Sequence, residues 1–272
     1  VGTNTMRQNT TGDQNIAIGY RALDANTTAD GNVAVGADAL ITNTTGNQNT
    51  AIGTNGLEDN ATASNNTAVG FSALCDTTTG AGNTAVGRQA SSKNTTGAEN
   101  VSMGLNTLYT NTTGSDNTAL GFCSMFSNTT GNNNVAVGCG ALDSNTTASS
   151  NTAVGQGALQ ANTTSINNTS VGRVAGHKTT TGHSNTAIGT FAHCVNTTGN
   201  CNVAIGVCSL CNNTTADHNT AVGYKSLFAN TTGTQNVAIG AYNSNCNTTA
   251  SQNTAVGFDN LAKNTTGTCN VA

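Results

Sequence analysis

A glycine recurs every 17 residues from Gly2 to Gly257, without insertion or deletion, and divides the 272 residues into sixteen units. A fixed short period dictates architecture before local propensity is weighed, because each unit must bury its apolar face against a copy of itself. With that glycine as column zero the unit reads G-x-x-A-L-x-x-N-T-T-G/A-x-x-N-T/V-A-V/I. Seventeen residues are too few for a two-helix repeat, and Asn, Thr, Gly and Val are poor helix formers. The expectation is all-β: a parallel β-solenoid or β-roll of sixteen 17-residue coils, one coil per repeat, with residues 1–272 as a single domain. Stacked ~4.8 Å apart, the coils would make a rod of roughly 75 Å. The chain opens on Val1-Gly2 and closes on Val271-Ala272, inside the motif, and reads as a segment of a longer fibre.

Sixteen internal copies let each column report its own tolerance. All twenty charged residues fall in columns 1, 2, 5, 6, 11 and 12, and an unpaired charge in a core costs several kcal/mol, so these columns mark the outside. Column 16 (Val or Ile) and column 4 (mostly Leu, as at Leu23, Leu40 and Leu57) are the expected apolar interior. Alternation in Thr50-Ala51-Ile52 puts columns 14 and 16 on one face and columns 13 and 15 on the other. A second short strand is expected over columns 2 to 5, with turns at the glycine and at Asn-Thr-Thr-Gly. Columns 3 and 15 stay small, and are expected to face away from the Leu/Val interior and pack against other copies of the chain, as in a trimer.

Column 13 is Asn in every copy: Asn15, Asn32, Asn49, Asn66, Asn83, Asn100, Asn117, Asn134, Asn151, Asn168, Asn185, Asn202, Asn219, Asn236, Asn253 and Asn270. An identical amide in each coil can hydrogen-bond to the coils above and below, satisfying a buried corner and locking register. Column 7 creates N-x-T sequons at Asn9, Asn26, Asn43, Asn60, Asn94, Asn111, Asn128, Asn145, Asn162, Asn196, Asn213, Asn230, Asn247 and Asn264. These are candidate glycan acceptors in a eukaryotic secretory setting. Turn chemistry accounts for the same residues equally well, and Thr columns 8 and 9 read as turn hydroxyls.

No catalytic constellation is visible. His177, His183, His193 and His218 occupy scattered columns without nucleophile or carboxylate partners at recognisable spacing. The glycines set coil geometry and form no phosphate cradle, since Gly-Lys-Ser/Thr is absent. Neither a cofactor nor a metal is expected: Cys208-x-x-Cys211 is half of a zinc site without its second half. The net charge of −4, without a basic stripe, argues against nucleic acid and anionic lipid as partners. No apolar run approaches the ~20 residues of a membrane span. Nine cysteines lie in variable columns. Cys194 and Cys211 share column 5 of adjacent coils, within disulfide range, and Cys123 and Cys139 are a second adjacent-coil pair. Tyr20, Phe71, Phe122, Tyr224 and Phe258 all fall in column 1 and are candidate exposed binding aromatics, with half-buried corner plugs as the alternative.

The run Asn-Thr-Ala-Val-Gly at 66–70, 83–87, 151–155, 219–223 and 253–257, with Asn-Val-Ala-Ile-Gly at 202–206 and 236–240, resembles the S-V-A-I-G core of YadA-like trimeric autotransporter adhesin heads. The 17-residue form with N-T-T-G is also similar to repeat tracts of phage tail fibres. The resemblance implies a left-handed parallel β-roll, three chains about an axis, displayed extracellularly, at a cell surface or on a virion. The expected function is therefore a non-enzymatic shaft or head that mediates or spaces attachment, with self, as a homo-oligomer, and a host-surface or glycan ligand as partners. The alternative is an ice-binding solenoid built on Thr/Asn ladders, against which Thr-Thr stand as neighbours in a turn.

Overall fold

A computed structural model describes residues 1–272. The chain is an all-β parallel solenoid without helices, and it divides into two compact units, Val1–Asn134 and Val135–Ala272. The first unit holds β1 (Ile16–Ile18) to β7 (Thr118–Leu120), and the second β8 (Val135–Val137) to β15 (Thr254–Val256). Within each unit, sequence neighbours pair in parallel at a shift of one repeat, as in Ala17 opposite Ala34 and Ala187 opposite Ala204. There are fifteen strands where sixteen coils were expected. The last repeat ends at Ala272, two residues into the strand position, and Val271 makes only a single bridge to Thr254.

Two expectations about the cross-section are overturned. Column 16 is not interior: Ile18, Ile52, Met103, Ile188, Ile239 and Val256 are exposed and the remaining copies within strands are half-exposed. The small residues are the core instead. Ala34, Ala51, Ala68 and Ala85 of column 15 and Ala22, Ala39, Ala73 and Ala90 of column 3 are fully buried, packed with the column 4 leucines. The coil is narrow, so a Leu reaching across from column 4 leaves room only for a methyl beneath the strand. Packing between chains through columns 3 and 15 is thereby excluded.

Columns 2 to 5 form no second strand; each coil has one. Residues in columns 2 and 4 are left-handed, Asp38 at φ 60° and Leu40 at 52°, while Ala39 between them is not. The alternation turns successive peptide groups up and down the axis. Column 2 N–H groups donate to the preceding coil (Asp38 to Tyr20 O, 2.9 Å), and column 4 N–H groups to the following one (Leu40 to Gly56 O, 3.0 Å). A left-handed Leu costs about 1–2 kcal/mol. The recurring inter-coil bond and the burial of the isobutyl group, worth roughly 1.5–3 kcal/mol, offset it.

Candidate functional site

The polar interior is built by two asparagine ladders that meet on one carbonyl. In column 13, Asn32 Nδ2 donates to Gly46 O of the next coil (2.9 Å), and Asn32 Oδ1 accepts the backbone N–H of Asn49 (2.8 Å). In column 7, Asn43 Nδ2 donates to the same Gly46 O (2.9 Å), while Asn60 Nδ2 donates to Asn43 Oδ1 (2.9 Å). The pattern recurs in the second unit, where Asn202 and Asn213 both donate to Ala216 O (2.8 and 3.0 Å). The column 13 amides therefore bond chiefly to backbone, closing the corner after the Asn-Thr-Thr turn and holding each strand one repeat from the next.

The sequon asparagines belong to this interior. Twelve of the fourteen sequon asparagines, from Asn26 to Asn247, are buried, and only Asn9 and Asn264 are half-exposed. A sugar on Nδ2 would have to displace bonds such as those of Asn26 to Asn9 Oδ1 and to Ala29 O. The column 7 amides are structural in this fold. Column 8 hydroxyls are structural too: Thr27 Oγ1 donates to Thr44 O and Thr95 Oγ1 to Thr112 O, one coil on.

All five column 1 aromatics are exposed, and Phe258 is the most open at 72%. In the first unit Tyr20 lies under the Arg21 guanidinium (5.0 Å) and Phe71 under that of Arg88 (5.8 Å), whereas Phe122 has no cation on it. In the second unit Tyr224 and Phe258 are joined edge to face through Tyr242, at 5.2 and 6.1 Å between ring centres. Tyr242 was overlooked as a candidate because it stands in column 2; its place in the coil between Tyr224 and Phe258 was the available signal.

Cys194 and Cys211 are adjacent, half-buried thiols with Sγ atoms 2.7 Å apart. The hydrogen bond to Cys194, together with burial, holds Cys211 well above the ordinary thiol range. Of the other two candidates, Cys123 is half-buried in the first unit and Cys139 is exposed in the second. His177 Nδ1 donates to Gly157 O (3.1 Å), and His183 and His218 are exposed.

His193 differs from the other histidines. It occupies column 4, a Leu position in ten coils, and is completely buried; its Nε2 meets Asn213 Nδ2 at 3.2 Å while Nδ1 lacks a partner. Burial disfavours the imidazolium and lowers the pKa to about 3. Below the unfolded value near 6.5, the unfolded chain takes up a proton that the folded chain refuses. Stability from this group is thus complete above pH ~6.5 and falls by ~1.4 kcal/mol per pH unit below it. His193→Leu should remove this acid sensitivity. Urea unfolding at pH 7 and at about pH 4.5 is expected to show the wild type losing about 2–3 kcal/mol more than the variant.

The chain matches no protein-family model, and no curated protein is recognisably similar to it in sequence.

Proposed function

We propose that this chain is a non-enzymatic shaft or head segment of an extracellular or virion fibre, assembled as a homo-oligomer that spaces or mediates attachment to a surface. The observation that carries this reading is the outer face of the strands. In each unit columns 14 and 16 present Thr, Val and Ile without one charge, and Ile16, Ile18, Ile52 and Met103 in the first unit and Ile188, Ile239 and Val256 in the second are open to solvent. Repeated apolar side chains on an exposed sheet face mark an association surface. A second copy carries the same period and can mesh rung for rung. The adhesin-head resemblance favours three copies, and the exposed aromatics supply anchors for a host-surface or glycan ligand.

Sedimentation at micromolar concentration tests the assembly. Each column 16 side chain buried between copies contributes roughly 1.5–3 kcal/mol. Replacing Ile52, Val69 and Val86 together by Lys should weaken association by more than ~100-fold and leave the circular dichroism of the folded chain intact. A wild-type chain that sediments as a monomer would overturn the reading.

A further inference from the structure

Three columns are without exception in all sixteen repeats: Gly in column zero, Asn in column 13 and Thr in column 9. The first two answer to the interior. Column zero holds a left-handed backbone against the next coil's carbonyl, and column 13 is the buried ladder described above. Column 9 does not. Thr11 to Thr130 in the first unit and Thr147 to Thr266 in the second, eight in each, are exposed in every coil, and none of their hydroxyls has a protein partner.

The chain itself shows what weaker requirements look like. A need for any β-branched residue gives column 14, which is also on the outside and exchanges nine Thr with six Val and one Ile. A need for a hydroxyl that bonds to the protein gives column 8, where Thr yields to Ala61. Column 9 accepts neither Val, which keeps the shape, nor Ser, which keeps the hydroxyl. Something outside the chain must read both the methyl and the hydroxyl, at every rung.

We infer that the column 9 threonines form a ligand-facing ladder for ordered water, and that the chain binds ice. Rungs of parallel coils are spaced ~4.8 Å apart, and each Thr hydroxyl can both donate and accept. A protein partner would concentrate its contacts on a few anchors and leave the other rungs free to vary. Only a ligand with a period of its own uses every rung equally. The column contains no charge that would hold disordered hydration water. The rungs are also fixed before binding: the N–H groups of Thr28 and Thr27 share Thr44 O, and Thr27 Oγ1 donates to that oxygen as well. A crystalline polysaccharide is the other periodic hydroxyl surface, but sugar rings stack on aromatics, and all ten aromatics lie in columns 1, 2 and 5.

The test uses the full chain. Thermal hysteresis and ice-crystal shaping are measured for the wild type, for Thr62→Lys with Thr79→Lys, and for the control Ala37→Lys with Thr54→Lys in column 1. The wild type and the control should arrest ice growth, and the ladder variant should lose the activity without change in melting temperature or sedimentation. Absence of hysteresis in the wild type, its persistence in the ladder variant, or retention on microcrystalline cellulose without an effect on ice would each overturn the inference. None of these outcomes bears on the oligomer, which sedimentation reports separately.

Discussion

Gly70→Ala should unfold the coils around it, with a loss of more than ~3 kcal/mol. Gly70 sits at φ +136°, and an added Cβ would lie 2.5 Å from Gly87 O and 2.6 Å from its carbonyl carbon. Neither atom can yield, because both belong to the next coil's identical corner. The internal control is Gly46→Ala in column 10. A Cβ there is as crowded, against Ala63 O and Asn43 Oδ1, but the backbone is not left-handed. Five coils already carry Ala at that column, at Ala29, Ala63, Ala148, Ala216 and Ala250. Urea unfolding followed by circular dichroism should therefore place Gly46→Ala near the wild type and Gly70→Ala far below it. Equal effects would show that crowding, and not backbone conformation, governs column zero.

Asn66→Ala should be nearly as damaging. Asn66 Nδ2 donates to Gly80 O (2.9 Å), and Asn66 Oδ1 accepts from the backbone N–H of Asn83 (2.9 Å). Column 7 of that coil is Thr77, whose hydroxyl is buried without a partner, so no second asparagine reaches Gly80 O. Truncation leaves a buried carbonyl and a buried N–H unpaired, at about 1–3 kcal/mol each. The expected loss is about 2–6 kcal/mol, measured by denaturant unfolding. Asn43→Ala should cost less, because Asn32 still donates to Gly46 O.

The period, the parallel register and the column 13 ladder are legible in the sequence because each repeats sixteen times and tolerates no substitute. The inside of the coil was misread at column 16. Val and Ile outrank Ala in hydrophobicity, and that ranking hides the geometric limit, which is that only a methyl fits beneath a strand faced by Leu. The correct answer was nonetheless present: if Asn49 is buried, Ala51, two residues on along a strand, shares its face and Ile52 does not. The left-handed residues of columns 2 and 4 were less visible, because Leu40 and Arg21 are poor markers of that conformation. The glycines at Gly140, Gly157 and Gly176 were the faint signal. Asn-Thr-Thr describes a turn in the sequence without saying that its first side chain folds inward, as at Asn43.

The inter-coil hydrogen bonds span 14 to 20 residues along the chain. Each rung thus recognises only the rungs beside it, and nothing in the fold measures total length. Loss or gain of one whole repeat by unequal recombination leaves every surviving neighbour relation intact, whereas a change of any other length misaligns the glycines, amides and methyls at once. Such a gene is free to drift in copy number while its period stays frozen.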